Sequence, residues 1–149
     1  MSEKPFTLED AISLAAKAHK GQVDKAGAPY ILHPLRVMQN LAGMKAMMAG
    51  VLHDVVEDSE YTLEDLRKAG CPYDVVQAID CVTKREDENN YDDFIRRVLE
   101  SNNPMAMQVK IADIQDNMNP ARLQYIPEEK RTAMVTKYTA ALKRLRYSY

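Results

Sequence analysis

Residues 51–59 read VLHDVVEDS, a segment in which four ionisable side chains are mixed with four aliphatic ones. In a helix, His53 and Asp54 leave the same turn about 100° apart, so they can bind one divalent cation from adjacent sides. Glu57 and Asp58 follow them by four residues, which places a second pair of carboxylates on the same face. Because the burial of charge is costly unless the charge is paired or bound to metal, the segment predicts the centre of a metal-dependent active site.

A second helix with a candidate metal ligand lies in residues 109–119, VKIADIQDNMN. Lys110, Asp113 and Asn117 are spaced i, i+3, i+7, so they share one stripe of that helix. A single aspartate in an amphipathic helix is usually just solvated, but this one shares its stripe with a cation and an amide inside an apolar segment. We therefore expect Asp113 to complete the coordination sphere that the first segment begins.

His33 is one of three histidines in the chain and lies where a loop containing glycine and proline becomes a helix. Taken alone, it would be a helix-capping or packed histidine. Beside a His-Asp pair, a role as a metal ligand is favoured. Imidazole and carboxylate ligands together suit divalent transition metals such as Mn²⁺, Fe²⁺ or Zn²⁺ better than they suit Ca²⁺.

The length of 149 residues is typical of one domain, so we expect residues 1–149 to form a single unit. The formal net charge of −2 provides no overall attraction for nucleic acid or an acidic membrane, so an anionic substrate would need a metal or local cations. The chain has no apolar segment of membrane-spanning length, no apolar signal region at its start and no disulfide pattern in its two cysteines. We expect a cytoplasmic protein that uses neither membrane nor nucleic acid, and its oligomeric state stays open.

The apolar residues follow a helical period along the chain, and no segment shows the alternation that is typical of strands. Helix starts are indicated by Thr7, by Pro34 and by the capping-box pair Thr62 and Asp65. The later helices are predicted over about residues 45–58, 62–70, 72–83, 91–100, 104–118 and 127–147. The pattern predicts an all-α domain, a helical bundle of about seven to nine helices with the 45–58 helix at its centre.

The motifs also occur in a familiar order. The segments are AHKGQ at 18–22, KAGAPYILHP at 25–34, LHDVVEDS at 52–59, VTK at 82–84 and VKIADIQDNM at 109–118. In this order they resemble the HD-superfamily (p)ppGpp hydrolases, namely the hydrolase domain of RelA/SpoT proteins and the stand-alone SpoT homologues. The resemblance covers roughly residues 15 to 120, and the combination of HDxxED with PYxxHP and KxAD…N is far more specific than HD alone.

The resemblance implies an HD-domain helical bundle and a hydrolase that removes the 3′-diphosphate of ppGpp or pppGpp, a phosphorylated nucleotide, with release of pyrophosphate. Four residues would hold one Mn²⁺: His33, His53, Asp54 and Asp113. Two carboxylates would orient or deprotonate the attacking water: Glu57 and Asp58. Four residues would contact the substrate: Lys25, Thr83, Lys84 and Asn117. Since the chain ends soon after the matched region, we expect it to degrade such nucleotides and not to make them.

Two departures from the family pattern leave alternatives open. Asp24 stands where the family has an arginine that stacks on guanine, and a carboxylate provides no cation–π contact. Ile114 and Asp116 stand where the family has arginine and then histidine or tyrosine. The enzyme could therefore be a nucleotide phosphomonoesterase of the HD superfamily, and a catalytically silent nucleotide-binding regulator is a further alternative. The complete set of water-activating carboxylates argues against the silent regulator.

Overall fold

The computed structural model describes residues 4–147, in which the regular structure is helical apart from one isolated bridge between Val23 and Pro29. In chain order the helices are α1 (Leu8–Ala18), α2 (Leu32–Gln39), α3 (Met44–Leu52), α4 (Val55–Asp58), α5 (Leu63–Lys68), α6 (Tyr73–Cys81), α7 (Tyr91–Glu100), α8 (Pro104–Asn117), α9 (Pro120–Leu123) and α10 (Glu128–Tyr147). Two of them, α4 and α9, are single turns. The eight longer helices of the described range confirm the predicted all-α bundle.

Helix α3 lies at the centre of the bundle and packs against α1, α2, α6 and α8. Its residues Met48, Val51 and Leu52 are buried, as the apolarity of this segment predicted. Gly50 permits the close approach of the segment after α2, because a Cβ at this position would lie 2.5 Å from Leu41 Cδ1. The C-terminal end of α3 is therefore held in the interior of the protein, beside α2 and α8.

The prediction of one continuous helix over residues 45–58 is wrong, because the chain forms a turn at His53 and Asp54. In an uninterrupted helix the Gly50 carbonyl would accept from the backbone N–H of Asp54. Here that carbonyl accepts from the backbone N–H of His53 at 3.5 Å and from the His53 ring Nδ1 at 2.5 Å. The histidine side chain thus occupies an acceptor that an uninterrupted helix would use, and helical structure resumes after these two residues as α4.

Most helix starts follow the sequence signals. Thr7 and Thr62 each accept a hydrogen bond from the backbone of the third helical residue. The predicted capping box at Thr62 forms, and Thr7, predicted only as a cap, forms a capping box with Asp10 as well. Pro34 does not begin α2 as predicted, since the helix starts at Leu32. The proline lies in the first turn, where its missing N–H has no helical acceptor. Helix α10 begins at Glu128, one residue after its predicted start, and the single turn α9 was not predicted.

Helix α8 is the second central element and packs against α2, α3, α6, α7 and α10. Helix α10 lies across α7 and α8, and among its described side chains only Ala141 and Leu145 are buried. Cys71 and Cys81 are buried free thiols. Within residues 4–147, no helix combines the length and apolarity that a membrane crossing requires.

Candidate metal centre and active site

Three separate parts of the fold bring the four predicted metal ligands together. His33 comes from the first turn of α2, His53 and Asp54 from the turn between α3 and α4, and Asp113 from α8. One ligand atom from each residue lies within 4.8 Å of all the others. The Nε2 atoms of the two histidines lie 2.8 and 3.2 Å from the same Asp113 Oδ1, and His53 Nε2 lies 3.1 Å from Asp54 Oδ2.

This donor set fits a divalent transition metal. Ligand atoms at adjacent octahedral positions around an ion of this size are about 3 Å apart, close to the distances found here. The ring Nδ1 of His53 donates to the Gly50 carbonyl at 2.5 Å, and that of His33 donates to Asp116 Oδ2 at 2.6 Å. Both imidazoles therefore turn Nε2 towards Asp54 and Asp113, which is the orientation that ligation requires.

The two carboxylates of the cluster are held in their ionised form. Burial would raise the pKa of Asp113, but Lys110, with Nζ 2.9 Å from Asp113 Oδ2, and the neighbouring histidines lower it well below its usual value. Burial likewise opposes ionisation of Asp54, and the charge of His53 outweighs it and lowers the pKa. Carboxylates coordinate metals as anions, so the ionised form of both groups is the one that suits a cation.

Tyr30, from the loop before α2, forms a hydrogen bond with the candidate metal cluster that the sequence did not reveal. Its hydroxyl donates to Asp54 Oδ2 at 2.6 Å. Burial and the charge of Asp54 raise the pKa of Tyr30 above its usual value, so the hydroxyl keeps its proton and remains a donor. Asp54 was predicted as a ligand, but nothing in the sequence spacing of Tyr30 and Asp54 indicated their contact.

Asp116 also supports the centre, although the sequence identified it only as a departure from the family pattern. Its side chain is 3% exposed, and it accepts from His33 Nδ1 at 2.6 Å, from Arg36 Nε at 2.7 Å and from Arg122 Nη1 at 3.1 Å. Burial would raise the pKa of Asp116, but the bonds from His33 and Arg36 lower it to about 2. The i, i+3 spacings of Asp113 with Asp116 and of His33 with Arg36 are the signal from which these contacts could have been found.

The predicted catalytic carboxylates face the same cavity as the metal cluster. This cavity has a volume of about 390 Å³, and its walls include Glu57 and Asp58 together with all four candidate ligands. Burial, followed by the charges of Asp54 and Glu57, raises the pKa of Asp58 to about 6. Glu57 Oε1 accepts from the backbone N–H of Lys84 at 2.8 Å, which connects α4 to the loop after α6.

Two of the four predicted substrate contacts, Lys25 and Asn117, line a second cavity, whereas Thr83 and Lys84 are not among the residues that line either cavity. This cavity of about 280 Å³ is lined by Lys25 and Asn117, and Asn117 and Tyr30 line both cavities, so the two adjoin. Asn117 Nδ2 also lies 3.4 Å from Asp113 Oδ1. The Thr83 hydroxyl donates to the Ile79 carbonyl at 2.7 Å, so its proton is already used in a hydrogen bond at the end of α6.

Asp24 also lines the second cavity, but its carboxylate turns back into its own loop. Its Oδ1 accepts from the backbone N–H groups of Ala26 at 2.9 Å and Ala28 at 3.0 Å. This is the local hydrogen bonding by which aspartate stabilises a turn. The aspartate at this departure from the family pattern therefore shapes the loop that carries Lys25.

Comparisons with known proteins agree with the motifs. The family model described as HD domain matches residues 11–141. The GTP pyrophosphokinase of Streptomyces coelicolor is 41% identical over 134 residues, which are 83% of this chain and 16% of that protein. The guanosine-3′,5′-bis(diphosphate) 3′-pyrophosphohydrolase of Borreliella burgdorferi is 33% identical over 136 residues, 81% of this chain and 20% of that protein. The chain thus spans a fifth or less of the length of these two curated relatives.

A solved structure supports the same assignment over nearly the whole chain. It is described as a metazoan ortholog of SpoT that hydrolyzes ppGpp, and it superposes with a TM-score of 0.80 at 25% sequence identity. The match covers 98% of this chain and 89% of that one. The motif order, the helical bundle, the converging His-Asp cluster and the family model agree, and this chain belongs to the HD domain family.

Proposed function

We propose that this chain is a divalent-metal-dependent phosphohydrolase that removes the 3′-diphosphate of ppGpp, pppGpp or a closely related nucleotide. The observation that carries the proposal is the convergence of two imidazoles and two carboxylates within 4.8 Å, in the wall of a cavity that also contains Glu57 and Asp58. The names of the similar pyrophosphohydrolase and of the SpoT ortholog support the substrate. We further propose that residues 1–149 act as one domain.

The metal would be held by His33, His53, Asp54 and Asp113, which fit Mn²⁺ first and Fe²⁺ or Zn²⁺ as alternatives. When bound, such an ion polarises a phosphoryl oxygen and lowers the pKa of a coordinated water. The protein itself fixes the direction of both imidazoles through the Gly50 carbonyl and Asp116.

Asp58 is the proposed general base. A carboxylate removes a proton from water most effectively when its pKa lies near the working pH, and the surroundings of Asp58 raise its pKa to about 6. Glu57, bound to the backbone of Lys84, orients the water and holds the loop after α6 against the active site. Its proposed role is therefore one of positioning as well as of electrostatic support.

The substrate is proposed to lie across the two adjoining cavities. Lys25 would bind phosphate and Asn117 would contact the sugar. Thr83 and Lys84 would contact the substrate from the loop after α6, which Glu57 holds through the Lys84 backbone. Because Asp24 provides no cationic surface for stacking, guanine would be held differently from the family pattern. The free buried thiols and a nucleotide substrate both favour the cytoplasm as the place of action.

The decisive experiment incubates the purified chain and Mn²⁺ with ppGpp and identifies the products. We expect GDP and pyrophosphate in equal amounts. Asp58→Asn should lower kcat at least 100-fold, whereas Glu60→Gln, an exposed carboxylate two residues further on, should retain activity. Release of orthophosphate would favour the phosphomonoesterase, and nucleotide binding without any turnover would favour the silent regulator.

A further inference from the structure

Lys137 of α10 lies against two aromatic rings, one of which, Tyr138, lines the second cavity. Its Nζ lies 4.7 Å from the ring centroid of Tyr91 and 4.8 Å from that of Tyr138. These two rings contact each other edge to face, with centroids 5.5 Å apart. Cation–π contacts of this kind hold an ammonium group in place without neutralising its charge.

The two rings that Lys137 contacts relate it to the two cavities. Tyr138 lines the second cavity together with Lys25. Tyr91 is also in contact with Lys110, whose Nζ lies 5.3 Å from the ring centroid and which lines the metal cavity. Tyr138 therefore lies between Lys137 and the second cavity, and Tyr91 lies between Lys137 and Lys110 of the metal cavity.

The lysines in this region differ in how their charge is compensated. Lys110 forms an ion pair with Asp113 at 2.9 Å. Among the described residues, the side chains of Lys25, Lys84 and Lys137 have no carboxylate partner within ion-pair distance. Burial, then the charges of Lys110, Lys25 and Lys84, lower the pKa of Lys137, so these cations act on one another across the cavities.

We propose that Lys137, together with Lys25, binds the phosphate groups at the non-reacting end of the nucleotide, while the metal cluster holds the phosphate at the reacting end. Cations that gather without an anion repel one another, and this cost is offset when a polyanion binds between them. The site would therefore favour nucleotides that carry phosphates at both ends, such as a nucleoside 3′,5′-bis(diphosphate). This inference depends on the proposed function in one respect only, the binding of the reacting phosphate at the metal cluster.

The first arm of the test measures steady-state hydrolysis of ppGpp by Lys137→Gln. We expect KM to rise about tenfold, the loss of one charge-assisted phosphate contact, with kcat within twofold of the wild type. Lys137→Arg should restore KM. The matched control is Lys130→Gln, which removes another exposed lysine from the same helix and should leave both constants unchanged.

The second arm measures GDP binding by isothermal titration calorimetry and needs no turnover. GDP has phosphates at its 5′ end alone, so Lys137→Gln should weaken its binding about tenfold and Lys130→Gln should not. Equal GDP binding by wild type and Lys137→Gln, including no measurable binding to either, would overturn the inference. A wild type that binds GDP through Lys137 but does not cleave ppGpp would refute the proposed function and leave the phosphate site standing.

Discussion

The replacement Asp116→Asn should weaken metal binding, although Asp116 is not one of the proposed ligands. The Asp116 carboxylate accepts from His33 Nδ1 at 2.6 Å and also binds Arg36 and Arg122. An asparagine of the same size can keep one acceptor oxygen, but it loses the negative charge that orients the imidazole and increases its basicity. His33 would then turn Nε2 towards the cluster less firmly and bind the cation less strongly.

The magnitude follows from the role of such carboxylates beside ligating histidines. Removal of a carboxylate that holds a metal-bound histidine typically costs 10- to 100-fold in metal affinity, about 1.4–2.7 kcal/mol. The thermal stabilisation that Mn²⁺ gives to the protein should fall by the same free energy. For a chain of this length, the metal-induced rise in Tm should be smaller by about 3–11 °C.

The assay is a calorimetric titration of metal-free protein with Mn²⁺, combined with thermal unfolding with and without the ion. The matched control is Asp74→Asn, which breaks the exposed ion pair with Lys45 far from the cluster and should leave the Mn²⁺ affinity unchanged. A folded Asp116→Asn protein whose Kd for Mn²⁺ is within twofold of the wild type would refute the reasoning about His33.

Three further predictions concern single contacts. Tyr30→Phe removes the 2.6 Å hydrogen bond to Asp54, so Mn²⁺ binding should weaken about five- to tenfold in the same titration, and an unchanged Kd would contradict this. Thr62→Ala removes the capping box of α5 and should lower the free energy of unfolding in urea by about 1 kcal/mol. The pKa of Glu88 lies below its usual value of 4.5. Burial would raise this pKa, but the hydrogen bond from Arg97 opposes the effect of burial, and the net shift is downward. The ionised carboxylate therefore stabilises the fold above pH 4.5, and this stabilisation is lost as the pH falls through the lowered pKa. Glu88→Gln should therefore destabilise the protein at pH 7, and the difference in unfolding free energy should narrow as the pH falls below 4.5.

Local signals predicted much of the fold. Helix caps and the apolar period of a helix depend on residues only a few positions apart. The caps at Thr7 and Thr62 accordingly form in the structure. The central position of α3 followed from its nearly all-round apolarity, because such a helix has no face suited to water. The ligand set was predicted from motif order, and the structure brings those residues together.

Contacts between distant segments could not be predicted from local signals. At the break between α3 and α4 the Gly50 carbonyl accepts from the His53 side chain, and the position of that side chain depends on the surrounding cluster. The hydrogen bond from Tyr30 to Asp54 joins residues 24 positions apart, and that from His33 to Asp116 joins residues 83 apart. Helix period shows which residues share a helix face, as for Asp113 and Asp116, but which residue of another helix they meet is decided only when α2, α3 and α8 pack together.

The central claim is that His33, His53, Asp54 and Asp113 surround one divalent cation. A crystal of the purified chain grown with Mn²⁺ and measured at the manganese absorption edge tests it directly. We predict one anomalous peak at this cluster, bound by both Nε2 atoms and by both carboxylates at about 2.0–2.2 Å. Saturating Mn²⁺ without an anomalous peak at this cluster, or with a peak only elsewhere in the protein, would contradict the account.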